Sequence, residues 1–258
     1  MRAVGELPVL FSGRFKPIDS VARNSLMAIS GRQSFGRHGE RIDAVTWLLD
    51  VIARPELARD YDVFRVDHPG VREMMGLSDA RRKRFSYNTL MQRSAELQAQ
   101  AALADETPLA QRDLFQNKVL QLSSQLSLYQ ALAGMHAMNL VPGDPMHQGW
   151  LPLHASEMNP APQQSGIAES YRALLDAYKA RDAVFFNQQA VQIHTALLAD
   201  HRSLVDKASL EASFNHYGLF YRASLLYLAN RVGSPCFLAE VASPLSRAMR
   251  SGCCWWFG

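Results

Sequence analysis

The stretch Leu90-Met91-Gln92-Arg93-Ser94-Ala95-Glu96-Leu97-Gln98-Ala99-Gln100-Ala101-Ala102-Leu103-Ala104 carries Leu90, Ser94, Leu97, Ala101 and Ala104 at steps of 4, 3, 4 and 3. That is the spacing of a helix-packing seam. Directly after it, Thr107-Pro108 supplies an N-cap and an N1 proline for a second helix. Its Phe115, Val119, Leu122, Leu126, Tyr129, Ala133 and His136 repeat the spacing. The connection Asp105 to Pro108 is short, and short links join neighbours, so the pair is expected to form a long antiparallel helical hairpin. The fold class that follows is mainly α: a multi-helix bundle built on this hairpin, with a small β-hairpin or sheet near the N-terminus. His136 is expected on the inward seam near the helix end, as a packed histidine bonded to a last-turn carbonyl.

Towards the N-terminus, Leu7-Pro8-Val9-Leu10-Phe11-Ser12-Gly13-Arg14-Phe15-Lys16-Pro17-Ile18-Asp19-Ser20-Val21-Ala22-Arg23-Asn24 reads as two strands meeting at Ser12-Gly13. Pro17 stops the second strand, and Asp19 or Ser20 is placed to cap a helix covering about Ile18 to Ile29, ended by Ser30-Gly31. Arg14 and Lys16 come from one strand face, and Asp19 and Arg23 from the first helical turns, where i and i+4 are neighbours. These four charged side chains are therefore expected close together. Asp19 as a cap paired with Arg14 or Arg23 would be structural; a partner or ligand contact is the functional alternative.

A polar loop, Arg32 to Glu40, is expected next, then a helix with Ile42, Val45, Leu48, Leu49 and Ile52 on one face and Trp47 beside them. Tyr61 to Val66 alternates with period two, predicting a strand that pairs with the opening hairpin. Val71 to Leu77 reads as a short helix. The run Arg81-Arg82-Lys83-Arg84 reads as a solvated turn, since no aromatic ladder or DNA-binding pattern accompanies it.

Beyond the helical hairpin, Asn139 to Gly166 is rich in proline and glycine, yet Leu140, Val141, Trp150, Leu151 and Leu153 need cover, which predicts an ordered excursion. His147 and His154 lie in it with no geometric relation that would make a metal site. Ile167, Tyr171, Leu174 and Tyr178 form the seam of another helix, with a break at Arg181-Asp182. Val191, His194, Leu198, His201 and Val205 form the next seam. His194 and His201 stand ~10 Å apart along the axis, too far to clasp one ion, and are expected as half-buried boundary residues. Ser209 to Asn215 reads as a helix start, leading into an aromatic and Leu-rich run that resembles membrane entry at an interface. Asn230-Arg231-Val232-Gly233-Ser234-Pro235 ends that run after about a dozen residues, where a span needs ~20.

Composition narrows function by exclusion. A chain of 258 residues, 48% hydrophobic and 20% charged, can bury a substantial core, and its net charge of +3 does not by itself imply nucleic acid or an anionic membrane. Cys236, Cys253 and Cys254 are its three cysteines, so the body carries neither a disulfide framework nor a cysteine zinc site. Asp50, Asp67 and Asp176 are scattered without an evident partner. Nucleophile-elbow, dinucleotide, phosphate-loop, His-Glu-x-x-His and Cys-x-x-Cys-His motifs are absent. The chain is accordingly read as no enzyme and no metal site. Met1-Arg2-Ala3-Val4-Gly5-Glu6 has no apolar run of a signal peptide.

The opening stretch, with Ser30-Gly31-Arg32-Gln33 and the Trp47-Leu48-Leu49-Asp50 helix behind it, resembles the extracytoplasmic portion of cytochrome c assembly proteins of the CcsA/ResC type, in System II cytochrome c biogenesis. The residues that carry the resemblance are Gly13, Arg14, Lys16, Pro17, Asp19, Ser20, Ala22 and Arg23. Glu211, Phe214, Asn215, Phe220 and Tyr227 resemble the family's entry into its following membrane helix. The resemblance implies an extracytoplasmic docking part of a protein that delivers haem and promotes its attachment to apocytochrome c. Apocytochrome c and other assembly membrane proteins are the implied partners, with no nucleic acid. It also implies an inner-membrane location with this domain on the periplasmic side, membrane association through a C-terminal module, and Arg14, Lys16, Asp19 and Arg23 as partner or haem-propionate contacts. Haem is implied for the full-length family, with none tightly bound by this chain. No part of the chain matches the family's Trp-rich haem-handling module, and Trp255-Trp256 lacks its surroundings. The expected divisions are 1–208, a helical extracytoplasmic domain; 209–230, the start of a membrane-entry helix; and 231–258, an atypical tail that reads as the end of a truncated or frame-shifted product. The alternatives from other classes are a soluble helical protein-interaction adaptor unrelated to haem, and a hydrolase with an unrecognised triad.

Overall fold

The computed structural model describes residues 1–77, 79, 81–143, 149–154, 162–218, 223–225 and 227–228. Contacts divide the chain into two units, Met1–Ala212 and Ser213–Gly258. The architecture is mainly helical with small antiparallel sheets.

In the first unit, a short helix α1 (Arg2–Gly5) precedes the hairpin β1 (Pro8–Phe11) and β2 (Arg14–Pro17), which leads without a loop into α2 (Ile18–Ser30). Ser12 and Gly13 have φ of 49° and 75°, the left-handed pair that a two-residue turn between twisted strands requires. The register Phe11↔Arg14 confirms that tight turn.

The polar loop expected at Arg32 to Glu40 is instead a second hairpin, β3 (Ser34–Arg37) and β4 (Glu40–Asp43), closed by His38-Gly39 with φ of 51° and 85°. Its strands lack apolar alternation, so nothing but that turn marks them in the sequence. Ile42 accordingly lies on a strand, and α3 (Ala44–Ala53) begins after Asp43, whose carboxylate accepts from the Thr46 N–H at 2.8 Å. Trp47, expected beside the apolar stripe, is fully buried. This helix packs against α2 and against two later helices, α8 (Leu114–Ala133) and α9 (Pro162–Ala180).

After α4 (Pro55–Ala58), only Phe64–Arg65 forms a strand, β5, and its partner is β6 (Arg84–Phe85) rather than the opening hairpin. The sheet that includes the opening hairpin is completed from far downstream by β7 (Met138–Val141) and β8 (Leu151–Pro152), in the order β2-β1-β7-β8. The predicted excursion is thus ordered where described: Leu140, Val141, Trp150 and Leu153 are buried. Between β5 and β6 lies α5 (Pro69–Met74), where His68 Nδ1 accepts from the Val71 N–H.

The long helical hairpin is present with shifted ends. A short α6 (Tyr87–Met91) is separated from α7 (Ser94–Glu106), and α7 packs on α8. The connection is longer than expected: Leu109–Gln111 forms a 3-10 turn, and α8 is capped by Asp113, not Thr107. Asp113 and Gln116 satisfy each other's backbone N–H groups, a capping box that competes successfully with the Thr-Pro signal. Leu97, Ala104, Val119, Leu122, Leu126 and Tyr129 are buried, as the seams predict. Tyr129 stacks on Tyr87 at 4.8 Å and 22°.

The seam of α9 buries Tyr171, Leu174 and Tyr178, and Arg181, with φ of 60°, marks the expected break before α10 (Ala183–Tyr217). Before His201 the buried residues of α10 are Phe186, Ala190, Ile193 and Leu197, the last three one position earlier than the predicted Val191, His194 and Leu198, and Val191 is exposed. His201 is non-helical, with φ −129° and ψ 34°, and after this kink Val205 is in step with the predicted seam. No helix begins at Ser209, because α10 runs through it to Tyr217.

The second unit is described only at 213–218, 223–225 and 227–228. Part of the aromatic and Leu-rich run, the three cysteines and Trp255-Trp256 lie outside the described residues, as does His147. Among the described residues no helix is long and apolar enough to cross a membrane.

Candidate functional site

The opening hairpin presents its second strand at a sheet edge, because β2 has β1 on one side only. Arg14, next to the turn, is exposed. Phe15 turns to the opposite face, 39% exposed, with its ring edge on Trp150 at 5.2 Å. Lys16 shares the face of Arg14, and its Nζ stands 5.6 Å from the centre of the Phe11 ring. Two cations on one face of an edge strand, with an aromatic body behind them, make a surface suited to an acidic or amphipathic partner.

The helical members of the predicted set do different work. The N-cap of α2 is Pro17, in extended conformation and with no side-chain cap bond. Neither Asp19 nor Ser20 caps the helix; both sit inside its first turn. The reason is the direct hand-over from β2, fixed by the Ile18 N–H donating to the Leu7 carbonyl at 3.0 Å. Asp19 remains favourably placed at the positive end of the helix dipole. Its carboxylate accepts from Arg23 Nε at 2.7 and 2.9 Å, and Arg23 Nη1 donates to Gln33 Oε1 at 3.4 Å. Asp19 is packed closely, since a Cβ at Gly5 would stand 3.4 Å from its own Cβ. The structure therefore brings Asp19 and Arg23 together as a partly buried pair and leaves Arg14 and Lys16 on the strand.

Ser20, 4% exposed, donates to Glu211 Oε1 at 2.5 Å. This bond joins the opening motif to the second family-like segment across 191 positions. Nothing in the spacing of the residues announces it beyond the presence of both in resembling segments. Glu211 is thereby a tie between α10 and α2, within the first unit.

A second polar cluster is buried. Asp50, 3% exposed, accepts from the Tyr61 hydroxyl at 2.7 Å and the Tyr178 hydroxyl at 2.9 Å, with Arg54 Nη1 at 3.7 Å. Arg54 also lies over the Tyr178 ring at 4.5 Å. Asp50 thus has partners that sequence spacing did not reveal, and Asp67 pairs with Arg65 at 2.5 Å. Burial, and then the neighbouring Asp50 carboxylate, pushes the Tyr61 and Tyr178 hydroxyls above their ordinary range; burial does the same first to Tyr129 and Tyr171. Each folded-state value lies above the unfolded one, so the stabilisation is complete below about pH 10 and is lost as pH rises above it. In an alkaline titration followed at the tyrosinate absorbance, these four tyrosines are expected to ionise only with cooperative unfolding, after the exposed ones.

His136 lies past the end of α8, exposed, and not on its seam; its backbone N–H donates to the Ala131 carbonyl at 2.9 Å. Its ring meets that of His154 edge-on at 4.8 Å. The antiparallel register Asn139↔Pro152 explains the meeting, because extending it outward brings the two turns side by side. His194 and His201 are half-buried, as expected, and His201 lies 5.7 Å from the Trp150 ring. Among the described residues no group of three or more His, Cys, Asp or Glu side chains could hold a metal ion. In the basic run, Arg82 pairs with Asp62 at 2.5 Å, and Arg84 is drawn inward to donate to the Ser30 carbonyl at 3.1 Å.

A cavity of about 260 Å³ opens between the end of α2, β5, α5 and α8, lined by residues that include Gly31, Arg65, His68 and Lys118. It lies below the range of about 300–1,000 Å³ of drug-sized sites, and is too small for a haem.

No protein-family model matches the chain. Over 158 residues, 60% of its length, the chain is 26% identical to Protein NrfI of Wolinella succinogenes. The match spans 17% of that longer protein.

Proposed function

We propose that this chain is an extracytoplasmic docking domain of a CcsA/ResC-type cytochrome c biogenesis protein, working on the periplasmic side of the inner membrane. The similarity to Protein NrfI supports a role in cytochrome c biogenesis, and the motif from Gly13 to Arg23 supports the finer family reading. The observation that carries the docking role is the division of labour in that motif. Asp19 holds Arg23 within α2 and Ser20 ties α2 to Glu211 of α10, while the Ile18 N–H bond to the Leu7 carbonyl fixes the passage from the hairpin into α2. Arg14 and Lys16 are then the cations displayed on the edge strand.

In this reading the partner is apocytochrome c or another assembly membrane protein, held by the edge of β2. The chain contributes positioning and not chemistry of its own. Haem handling and membrane attachment belong to other parts of the longer protein, consistent with the small size of the described cavity. A photo-crosslinking residue in place of Arg14, in host cells making c-type cytochromes, is expected to capture an apocytochrome or an assembly protein. The same residue in place of Glu56, whose side chain is 89% exposed on α4, is the control. Equal capture from both positions would contradict the assignment of the contact to the hairpin.

A further inference from the structure

We infer that the cavity between α2, β5, α5 and α8 is a binding site for a small amphipathic organic anion, a carboxylate with a short apolar body. The inference is independent of the docking role, which uses a different surface. The accessible lining is more polar than apolar: Ile29, Val66, Val71 and Leu122 lie beneath it almost wholly buried, and Met27 is the exposed large apolar side chain that lines it. The rim is cationic. Arg65 and Lys118 line it, with His68 between β5 and α5. Because His68 Nδ1 accepts the Val71 N–H, the neutral ring carries its proton on Nε2 and is a further donor.

The surrounding charge is arranged at a cost that a bound anion would relieve. The β5–β6 register sets Arg65 directly opposite Arg84, and like charges in that relation repel. Arg32 follows Gly31, which lines the cavity. Burial first, and then Arg32 and Arg65, depress the affinity of Arg84 for its proton. Arg84, behind the cavity lining, donates to the Ser30 carbonyl at the end of α2, yet its buried Nε has no hydrogen-bond partner among the described residues. Among the residues lining the cavity Asp67 is the one carboxylate; it pairs with Arg65 and offsets Arg84 only in part. Lys118 Nζ donates to the neutral Gln121 side chain at 2.8 Å and has no carboxylate partner among the described residues. A carboxylate at this rim would gain charge-assisted bonds, while its short apolar body would lie against Met27. The volume of about 260 Å³ limits that body to a short chain or a single ring.

The test uses octanoate as probe and octanol as its uncharged counterpart, added to the whole chain and followed by thermal melting and by chemical-shift titration. Octanoate is expected to raise the melting temperature and to shift resonances saturably, with octanol binding more weakly. Arg65→Gln and Lys118→Gln alter exposed side chains, so the melting temperature without ligand should hold, while each weakens octanoate by about tenfold. Absence of a saturable octanoate response would overturn the proposal. So would octanol binding as strongly as octanoate, or octanoate binding unchanged in both variants.

Discussion

Asp50→Ala is expected to destabilise the first unit by about 3–5 kcal/mol, the cost of removing one partner from a buried charged cluster. The carboxylate is 3% exposed and accepts from two phenols, Tyr61 from the chain after α4 and Tyr178 from α9. Alanine would take the acceptor from the buried Tyr61 hydroxyl, leave the Tyr178 hydroxyl only the longer bond to the Thr46 carbonyl at 3.4 Å, and remove the Asp50 carboxylate from beside Arg54. The cluster also joins α3 to a helix more than a hundred positions downstream, since Asp50 and Tyr178 are separated by 128 residues. In a unit of this size about 2–4 °C is lost per kcal/mol, so the midpoint should fall by about 10 °C. Asp50→Asn keeps an acceptor and should cost less. Asp67→Ala is the contrast: its pair with Arg65 is half exposed on both sides, and such pairs contribute about 1 kcal/mol or less. Equal losses from Asp50→Ala and Asp67→Ala, read by urea denaturation, would show that the buried cluster has no special weight.

Helices with long seams were legible because a 3.6-residue period constrains many positions at once. Leu97, Ala104, Val119, Leu122, Leu126 and Tyr129 are buried where the spacing puts them. Phase was lost where the backbone itself departs from the period. The kink at His201 shifts the α10 seam by one residue, which no property of the surrounding side chains announces. Strand partners were less legible still. Tyr61 to Val66 alternates well, yet only its Phe64–Arg65 forms a strand, which bonds to Arg84–Phe85, whereas β1 takes its second partner from Met138–Val141. Local alternation tells which face of a strand is apolar and nothing about which distant edge will meet it.

The candidate site divides in the same way. The Asp19–Arg23 pair follows from helix spacing, i to i+4, and was accessible from sequence. Asp19 as a cap was a local rule overridden by the direct passage from strand to helix, which leaves Pro17 at that position. The Ser20–Glu211 bond, the Asp50 cluster and the His136–His154 contact depend on segments brought together by the whole fold. No spacing rule reaches them.

The largest functional effect is expected from reversing the two cations of the edge strand, Arg14→Glu together with Lys16→Glu. Both positions lie on β2 beside the turn, and neither is part of the Asp19–Arg23 or Ser20–Glu211 ties. Stability should therefore change by less than about 1 kcal/mol, while a partner drawn by positive charge meets repulsion of several kcal/mol. Arg23→Ala should instead lower the midpoint, because it leaves Asp19, 12% exposed in its side chain, without its bidentate partner. The deciding measurement is the amount of covalently haem-loaded c-type cytochrome in host cells that carry the double reversal in the otherwise intact protein, normalised to how much of that protein accumulates. The docking account predicts near-complete loss of holocytochrome at normal accumulation of the variant. Holocytochrome at the level of the unaltered protein would contradict it.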